Sequence, residues 1–278
     1  LFFPENCSDI EENFLMPALF NAKKVVSLVT QPNRKAFSCS CSLDDLEENY
    51  PGAHRHIMKF INEKNGKGLP LIQVLKRSNE EWYEMKPNEI ADLFTMMNPD
   101  DRMFFGRFVS PTFINQRLIG FKALDSHTDV ELCHALMNCL FMKFFVEAVG
   151  FGRGLGVLDI NKENISECLM LNPNLLTQNS INNIKMQFSI VCNKPIMSID
   201  EELKDEDWIR YNYTVLQAFE IEAYYDKIVN SITSLRKVRK AVRENHPTNI
   251  IHISTKNYSE NEHYNIGMVA EPQVEDKK

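Results

Sequence analysis

No stretch of about 18 or more apolar residues runs without a charge in this chain. No membrane-spanning helix is therefore expected, and no membrane is expected as a partner. The first residue, Leu1, brings no initiator Met, no charged n-region and no cleavage pattern. The chain does not read as a secretory precursor; it reads as a piece of something longer. Zinc-type spacing is missing as well. Seven cysteines include one close pair, Cys39 and Cys41, and no second pair to complete a site. An odd count, with several thiols in apolar runs, reads as reduced cysteines in a cytoplasmic protein. No His-x-x-x-His or Cys-x-x-Cys occurs, and no Ser/His/Asp or Cys/His nucleophile pattern has local support. No catalytic and no metal-ligating residue is assigned, and the residues favour a binding module over a catalyst. His134 reads as structural. Asp159 reads as a turn or salt-bridge partner; a metal nuclease built on it would need a Glu-x-Lys pair that does not follow. There is no internal repeat and no low-complexity block.

Glycine is scarce and clustered. Ten serve 278 residues, and four fall in Gly150-Phe-Gly-Arg-Gly-Leu-Gly-Val-Leu-Asp-Ile160. Two readings stay open for this stretch. One is a helix-to-strand turn whose glycines relieve crowding. The other is a loop that brings the backbone N–H groups of Gly152 and Gly154, with Arg153, against a phosphate. A dinucleotide fingerprint is excluded, because the sixth position is Leu155 or Val157 and the order is helix, glycines, strand. A P-loop is excluded because no Gly-Lys-Ser/Thr closes it.

What is present is ordinary globular composition, 44% hydrophobic and 25% charged, with a net charge of −7. An acidic chain needs a local basic surface if it is to meet nucleic acid. Residues 53–77 supply one in sequence: Arg55, Lys59, Lys64, Lys67, Lys76 and Arg77 oppose Glu63 alone, with His54 and His56 in addition. A solvated helix face and a phosphate-contacting surface are both open there. Beside it lies Glu81-Trp-Tyr-Glu, with Trp82 and Tyr83 as core residues or base-stacking platforms. Asn115-Gln-Arg117 is a polar triplet between apolar runs. These side-chain types read base edges, Asn and Gln on adenine and Arg on guanine; they also suit a plain strand end.

The periodicity predicts an element order. Ile10 to Phe20 has helical spacing, Lys23 to Thr30 is strand-like, and 31–35 is a turn. Ala36 to Ser42 reads as a further strand. Ser42 is expected to cap a helix with acids in its first turn. After the break at Tyr50-Pro-Gly, Ala53 to Lys64 reads as helix. Asn88 to Met97 is expected as a short helix, and Met103–Phe108, Thr112–Gln116 and Arg117–Leu124 as strands. Ser126 or Thr128 is expected to start a helix running to Val149, apolar nearly all round. Asn172-Pro-Asn reads as a turn and Ile181 to Ile190 as helix. Residues 200–207 read as an acidic linker or helix start. Ile221, Tyr225, Ile228, Ile232 and Leu235 form a heptad-like stripe, and Arg236, Lys237, Arg239, Lys240 and Arg243 crowd its end, where they suit the helix C-terminus or touch phosphate. The whole is expected to be α+β: a mixed target-recognition domain over 1–200, a helical arm over 201–255 and a flexible tail over 256–278.

The order of several stretches resembles a known family. It is similar to the C-terminal target-recognition region of adenine-N6 DNA methyltransferases from bacterial restriction-modification systems, particularly the large fused type II enzymes. The stretches are Asp9-Ile-Glu-Glu-Asn-Phe-Leu-Met-Pro-Ala-Leu-Phe20, Leu46-Glu-Glu-Asn-Tyr-Pro-Gly52 and Lys76-Arg-Ser-Asn-Glu-Glu-Trp-Tyr83. Phe113-Ile-Asn-Gln-Arg-Leu-Ile119, Leu136-Met-Asn138, the glycine stretch, Leu171-Asn-Pro173 and the helix Tyr225 to Arg239 follow. They cover roughly residues 9–243. The family's Asn/Asp-Pro-Pro-Tyr/Phe and Phe-x-Gly-x-Gly motifs are missing. The resemblance is therefore to the specificity part, and it leaves open whether this chain is itself part of an enzyme. It implies double-stranded DNA as partner, with a methyltransferase catalytic domain in cis or in trans. It implies no cofactor here, since S-adenosylmethionine would bind the absent domain. Lys59, Lys67, Gly152, Arg153 and Gly154 would dock on phosphates; Asn115, Gln116, Arg117 and Arg77 would read bases; Trp82 or Tyr83 would pack on a sugar or an unstacked base. A different reading is a protein-interaction domain of a larger bacterial assembly that uses the helical arm.

Overall fold

Pairing of strands begins where helical spacing predicted a helix. In the computed structural model, which describes residues 1–76, 79–84, 90–99, 101–153 and 156–244, the segment after Ile10 makes a 3₁₀ turn at Glu12–Phe14 and then strand β1, Leu15–Leu19. Pro17 explains the difference, because a proline inside a helix removes a hydrogen bond and collides with the preceding turn. The expected strand over Lys23 to Thr30 is also corrected: a 3₁₀ turn at Ala22–Lys24 precedes a two-residue β2, Val29–Thr30. Strand β3 is Arg34–Phe37. Ser42 caps α1, Leu43–Asn49, as expected, accepting from Asp45 N at 3.2 Å. Helix α2, Pro51–Met58, and α3, Leu71–Leu75, follow.

The helix expected over Asn88 to Met97 is instead β4, Ile90–Met96. Short apolar runs do not separate helix from strand by periodicity, and here tertiary packing decides: Phe94 stacks on Phe108 at 4.6 Å. Strand β5, Gly106–Ile114, runs unbroken through Pro111, and β6 is Leu118–Phe121. These strands form one mixed sheet in the order β3-β1-β5-β4-β6, with β2 also on β5. β1 is antiparallel to β3 and parallel to β5.

Two compact units emerge. The first holds residues 1–25, 29–94 and 107–126. Its main core joins Phe14, Leu15 and Phe37 to Leu46, Ala53 and Ile57 of the helices, with Trp82 and Tyr83. Ala18, Ala36 and Phe113 form a smaller cluster with Phe2 and Phe3.

The second unit holds residues 26–28, 95–106 and 127 onward. Its helices are α4, Val130–Asn138; α5, Leu140–Val149; α6, Lys162–Ser166; α7, Gln178–Cys192; α8, Ile199–Glu202; α9, Glu206–Ala218; and α10, Tyr225–Glu244. The single helix expected from Ser126 or Thr128 to Val149 is two helices bent by 65°, and Asp129 is the cap. Asn212 causes part of the break, accepting Leu140 N at 2.7 Å and so starting α5 afresh. Buried Asn138 bonds Phe105 N and O at 3.0 and 2.8 Å, and His134 Nε2 lies 2.9 Å from Phe105 O. His134 is thus structural. Between the helices β7, Phe151–Arg153, and β8, Val157–Asp159, make a small antiparallel hairpin. The fold is α+β with helices at its C-terminal side. No single helix among the described residues is long and apolar enough to cross a membrane.

Candidate nucleic-acid interface

The basic region of the first unit is built around the start of α2. Pro51 occupies the first turn, where a missing N–H costs nothing. The Glu11 carboxylate accepts the N–H groups of Gly52 and Ala53, both at 2.8 Å. Burial opposes it, but these backbone donors hold the Glu11 carboxyl below its usual range. Gly52 has no alternative, since a Cβ there would lie 1.9 Å from Asp9 O. The helix so fixed turns His56 and Ile57 inward and leaves Arg55 and Lys59 exposed. His56 was expected to add to the basic surface. It is buried instead, with Nε2 2.8 Å from Leu1 O and its ring against Phe37 and Phe60, and burial lowers its pKa and favours the neutral form.

The loop after α2 is pinned by its own backbone. Asn65 Oδ1 accepts from Lys67 N at 2.9 Å and Leu69 N at 3.0 Å, and Asn65 N donates to Leu69 O at 2.8 Å. Gly68 takes φ 78°, a conformation glycine adopts without strain. The loop presents Lys64 and Lys67 to solvent, and Lys76 follows α3. From 51 to 76, five exposed cations face one carboxylate, Glu63. Arg77 lies outside the described residues.

Trp82 and Tyr83 are core residues, which corrects their assignment to a sugar or base. Tyr83 has no exposure and Trp82 only 7%. The Tyr83 hydroxyl donates to Cys41 O at 2.7 Å, and burial pushes its pKa up. A ring enclosed on all sides offers no face to a nucleotide.

The triplet at 115–117 forms the three-residue connection from β5 to β6. Asn115 Oδ1 accepts Arg117 N at 3.0 Å, its carbonyl accepts Leu118 N at 2.9 Å, and its N–H donates to Leu19 O at 3.2 Å. Asn115, half-buried, therefore shapes the turn. Gln116 and Arg117 are exposed at the tip.

At Gly150 the glycine stretch answers to crowding. Gly152 stands opposite Leu158 and Arg153 opposite Val157 in the β7–β8 ladder. A Cβ on Gly150 would meet Leu158 Cδ1 at 2.6 Å and Val146 O at 3.0 Å. Gly156 has φ 70°. Gly154 lies outside the described residues.

Three cations of α10's basic run are spent inside the second unit. Arg236, 2% exposed, sits 3.3 Å from Asp101 and 3.0 Å from Asp200. Lys240 is 2.5 Å from Asp101. Arg239 pairs Glu147 at 2.6 Å and donates to Gly156 O at 2.6 Å. Asp200, expected in an acidic linker or helix start and found in the first turn of α8, is held below the usual carboxylate range: burial works against this, but Arg236 and Lys240 prevail. Periodicity contained the clue, for Ile228, Ile232 and Arg236 are spaced by four. Asp159 is buried, with Asn98 Nδ2 at 3.2 Å from its Oδ1. Among the described residues no three His, Cys, Asp or Glu side chains stand together as a metal site. All seven cysteines are free thiols, and burial pushes Cys39 and Cys139 each up to about 11.

No family model and no curated protein matches the chain. Among solved structures, one similar chain is the type IIG restriction endonuclease BpuSI, at 9% identity and a TM-score of 0.47. The match covers 84% of this chain and 26% of that one, so this chain spans about a quarter of its length.

Proposed function

We propose that this chain recognises double-stranded DNA as the specificity part of a bacterial, cytoplasmic restriction-modification adenine-N6 methyltransferase. Methyl transfer and S-adenosylmethionine belong, in this reading, to a catalytic domain acting in cis or in trans. The observation that carries it is the run of exposed cations Arg55, Lys59, Lys64, Lys67 and Lys76, with Glu63 as the one carboxylate among residues 51–76, on a chain whose net charge is −7. Acidic proteins repel DNA except where such a run concentrates positive charge. The ordered resemblance of residues 9–243 to the family's recognition region supports the same reading. Lys59 and Lys67 contact phosphates and set register; Gln116 and Arg117 read base edges, with Arg77 retained as a third reader. Selection from a random duplex pool tests it: enrichment of one sequence is expected, and a pool that stays random through repeated rounds contradicts it.

A second reading rests on one feature of the second unit. Phe141, Phe144 and Phe145 of α5, with Ile221, Tyr224 and Ile228, line an open apolar cleft of about 320 Å³. Apolar clefts on helices receive amphipathic partner helices, which suits a protein-interaction module using the helices after residue 200. That reading predicts no DNA affinity at low salt, and a partner whose binding Phe144→Asp abolishes.

A further inference from the structure

Three segments distant in sequence end at one place in the first unit's sheet. Ala18 of β1 stands opposite Arg34 of β3 on one side and Phe113 of β5 on the other, and Leu19 stands opposite Ile114. The last residues of β1 and β5 and the first of β3 therefore share one end of the sheet. Hydrogen bonds lock that end. Asn33 N donates to Ala18 O at 3.0 Å, Asn33 Oδ1 accepts Phe20 N at 3.1 Å, and Asn115 N donates to Leu19 O. The Arg34 guanidinium rests 4.8 Å from the centre of the Phe20 ring. Phe20 itself is held edge-on by Phe3 at 4.9 Å. Lys24, Asn33, Arg34, Gln116 and Arg117 are all exposed, and Phe20 is 37% exposed.

The two stretches that build this end carry charge of one sign. Residues 20–35 and 106–122 contain no Asp and no Glu. Lys35 pairs with a carboxylate from outside these stretches, Glu12 at 2.5 Å. An arginine held against an aromatic ring keeps its planar fork with little rotamer freedom left to lose on binding. Two exposed arginines, with the exposed Gln116 amide beside Arg117, are donors and acceptors of the kind that base edges in a major groove demand.

We propose that this sheet end, with Arg34 and Arg117 as its two reading arginines, is the base-reading surface for duplex DNA; this rests on the DNA-recognition reading above. Arg117 lies three residues beyond the end of β5, on the way to β6, and Arg34 at the start of β3 is two strand spacings from that end, about 10 Å. At about 3.4 Å per base step that is about three base pairs. The two arginines thus read separate guanines at least about three base pairs apart, while the exposed cations of 51–76 hold backbone phosphates.

The experiment is selection from a random duplex pool with the whole 278-residue chain and with Arg34→Lys, Arg34→Ala and Arg117→Ala, followed by affinity on the selected and a scrambled duplex. Both arginines are exposed, and Arg34→Lys keeps the charge while losing the fork. Each variant is expected to lose preference at one position of the selected site, by on the order of tenfold to a hundredfold. The positions lost with Arg34 and with Arg117 are expected to differ, and affinity for the scrambled duplex is expected to stay close to wild type for Arg34→Lys. Sites unchanged in the variants, with wild type still selecting one, would overturn this surface and leave the DNA reading standing. A wild-type chain that binds no duplex would overturn both.

Discussion

Glu202 and Lys143 meet 2.5 Å apart where neither is more than a few per cent exposed, and Lys143 also lies 4.4 Å from the Trp208 ring. Desolvation pushes the Glu202 carboxyl up to about 6, with Lys143 pulling the other way. Its ordinary value, 4.5, applies in the unfolded chain. Between these values the folded form holds a proton that the unfolded form has released. Glu202's contribution to stability is therefore full below pH 4.5 and lost as pH rises through about 6. The loss amounts to about 2 kcal/mol. Urea unfolding of wild type and Glu202→Gln across pH 4 to 7 reads it directly. The wild-type advantage is expected to shrink by about that amount over the range; an advantage constant with pH contradicts the assignment. At the same scale, sequence does not reveal which cations are spent. Arg236 and Arg239 look like any basic run until Asp101, Asp200 and Glu147 arrive from elsewhere in the chain.

Among the elements, the glycine hairpin shows how local pattern and fold agree. Gly150 leaves α5 where Leu158 of β8 and the carbonyl of Val146 close in on it. Gly150→Ala is expected to cost about 1–3 kcal/mol of stability, as overpacking does; thermal unfolding unchanged from wild type would contradict that. Helix caps were readable in advance at Ser42, because a hydroxyl followed by two acids suits the free N–H groups of a first turn. Other boundaries turned on partners that no local window contains. Ile90–Met96 became a strand because the sheet offered it Phe108. The α4–α5 break needed Asn212, more than seventy residues away. Pro17 was readable, and it outweighed the helical spacing around it.

For the whole molecule, charge distribution decides more than net charge. The exposed cations of 51–76 came through from sequence nearly intact, because they are local in the chain. The grouping of Arg34, Phe20 and Arg117 did not, because it is made by strand pairing across almost a hundred residues. Trp82 and Tyr83 illustrate the opposite error: aromatic residues beside a basic run look like a nucleotide platform, and burial alone shows them to be core. The most direct test of the account is the salt dependence of duplex DNA binding, by fluorescence anisotropy, for wild type and for Lys59→Ala/Lys67→Ala. Wild type is expected to bind at low salt with log affinity falling against log salt at a slope of about −3 to −5, and the double variant to lose about 2 from that slope on cognate and scrambled DNA alike. No binding at low salt, or an unchanged slope in the variant, would contradict it.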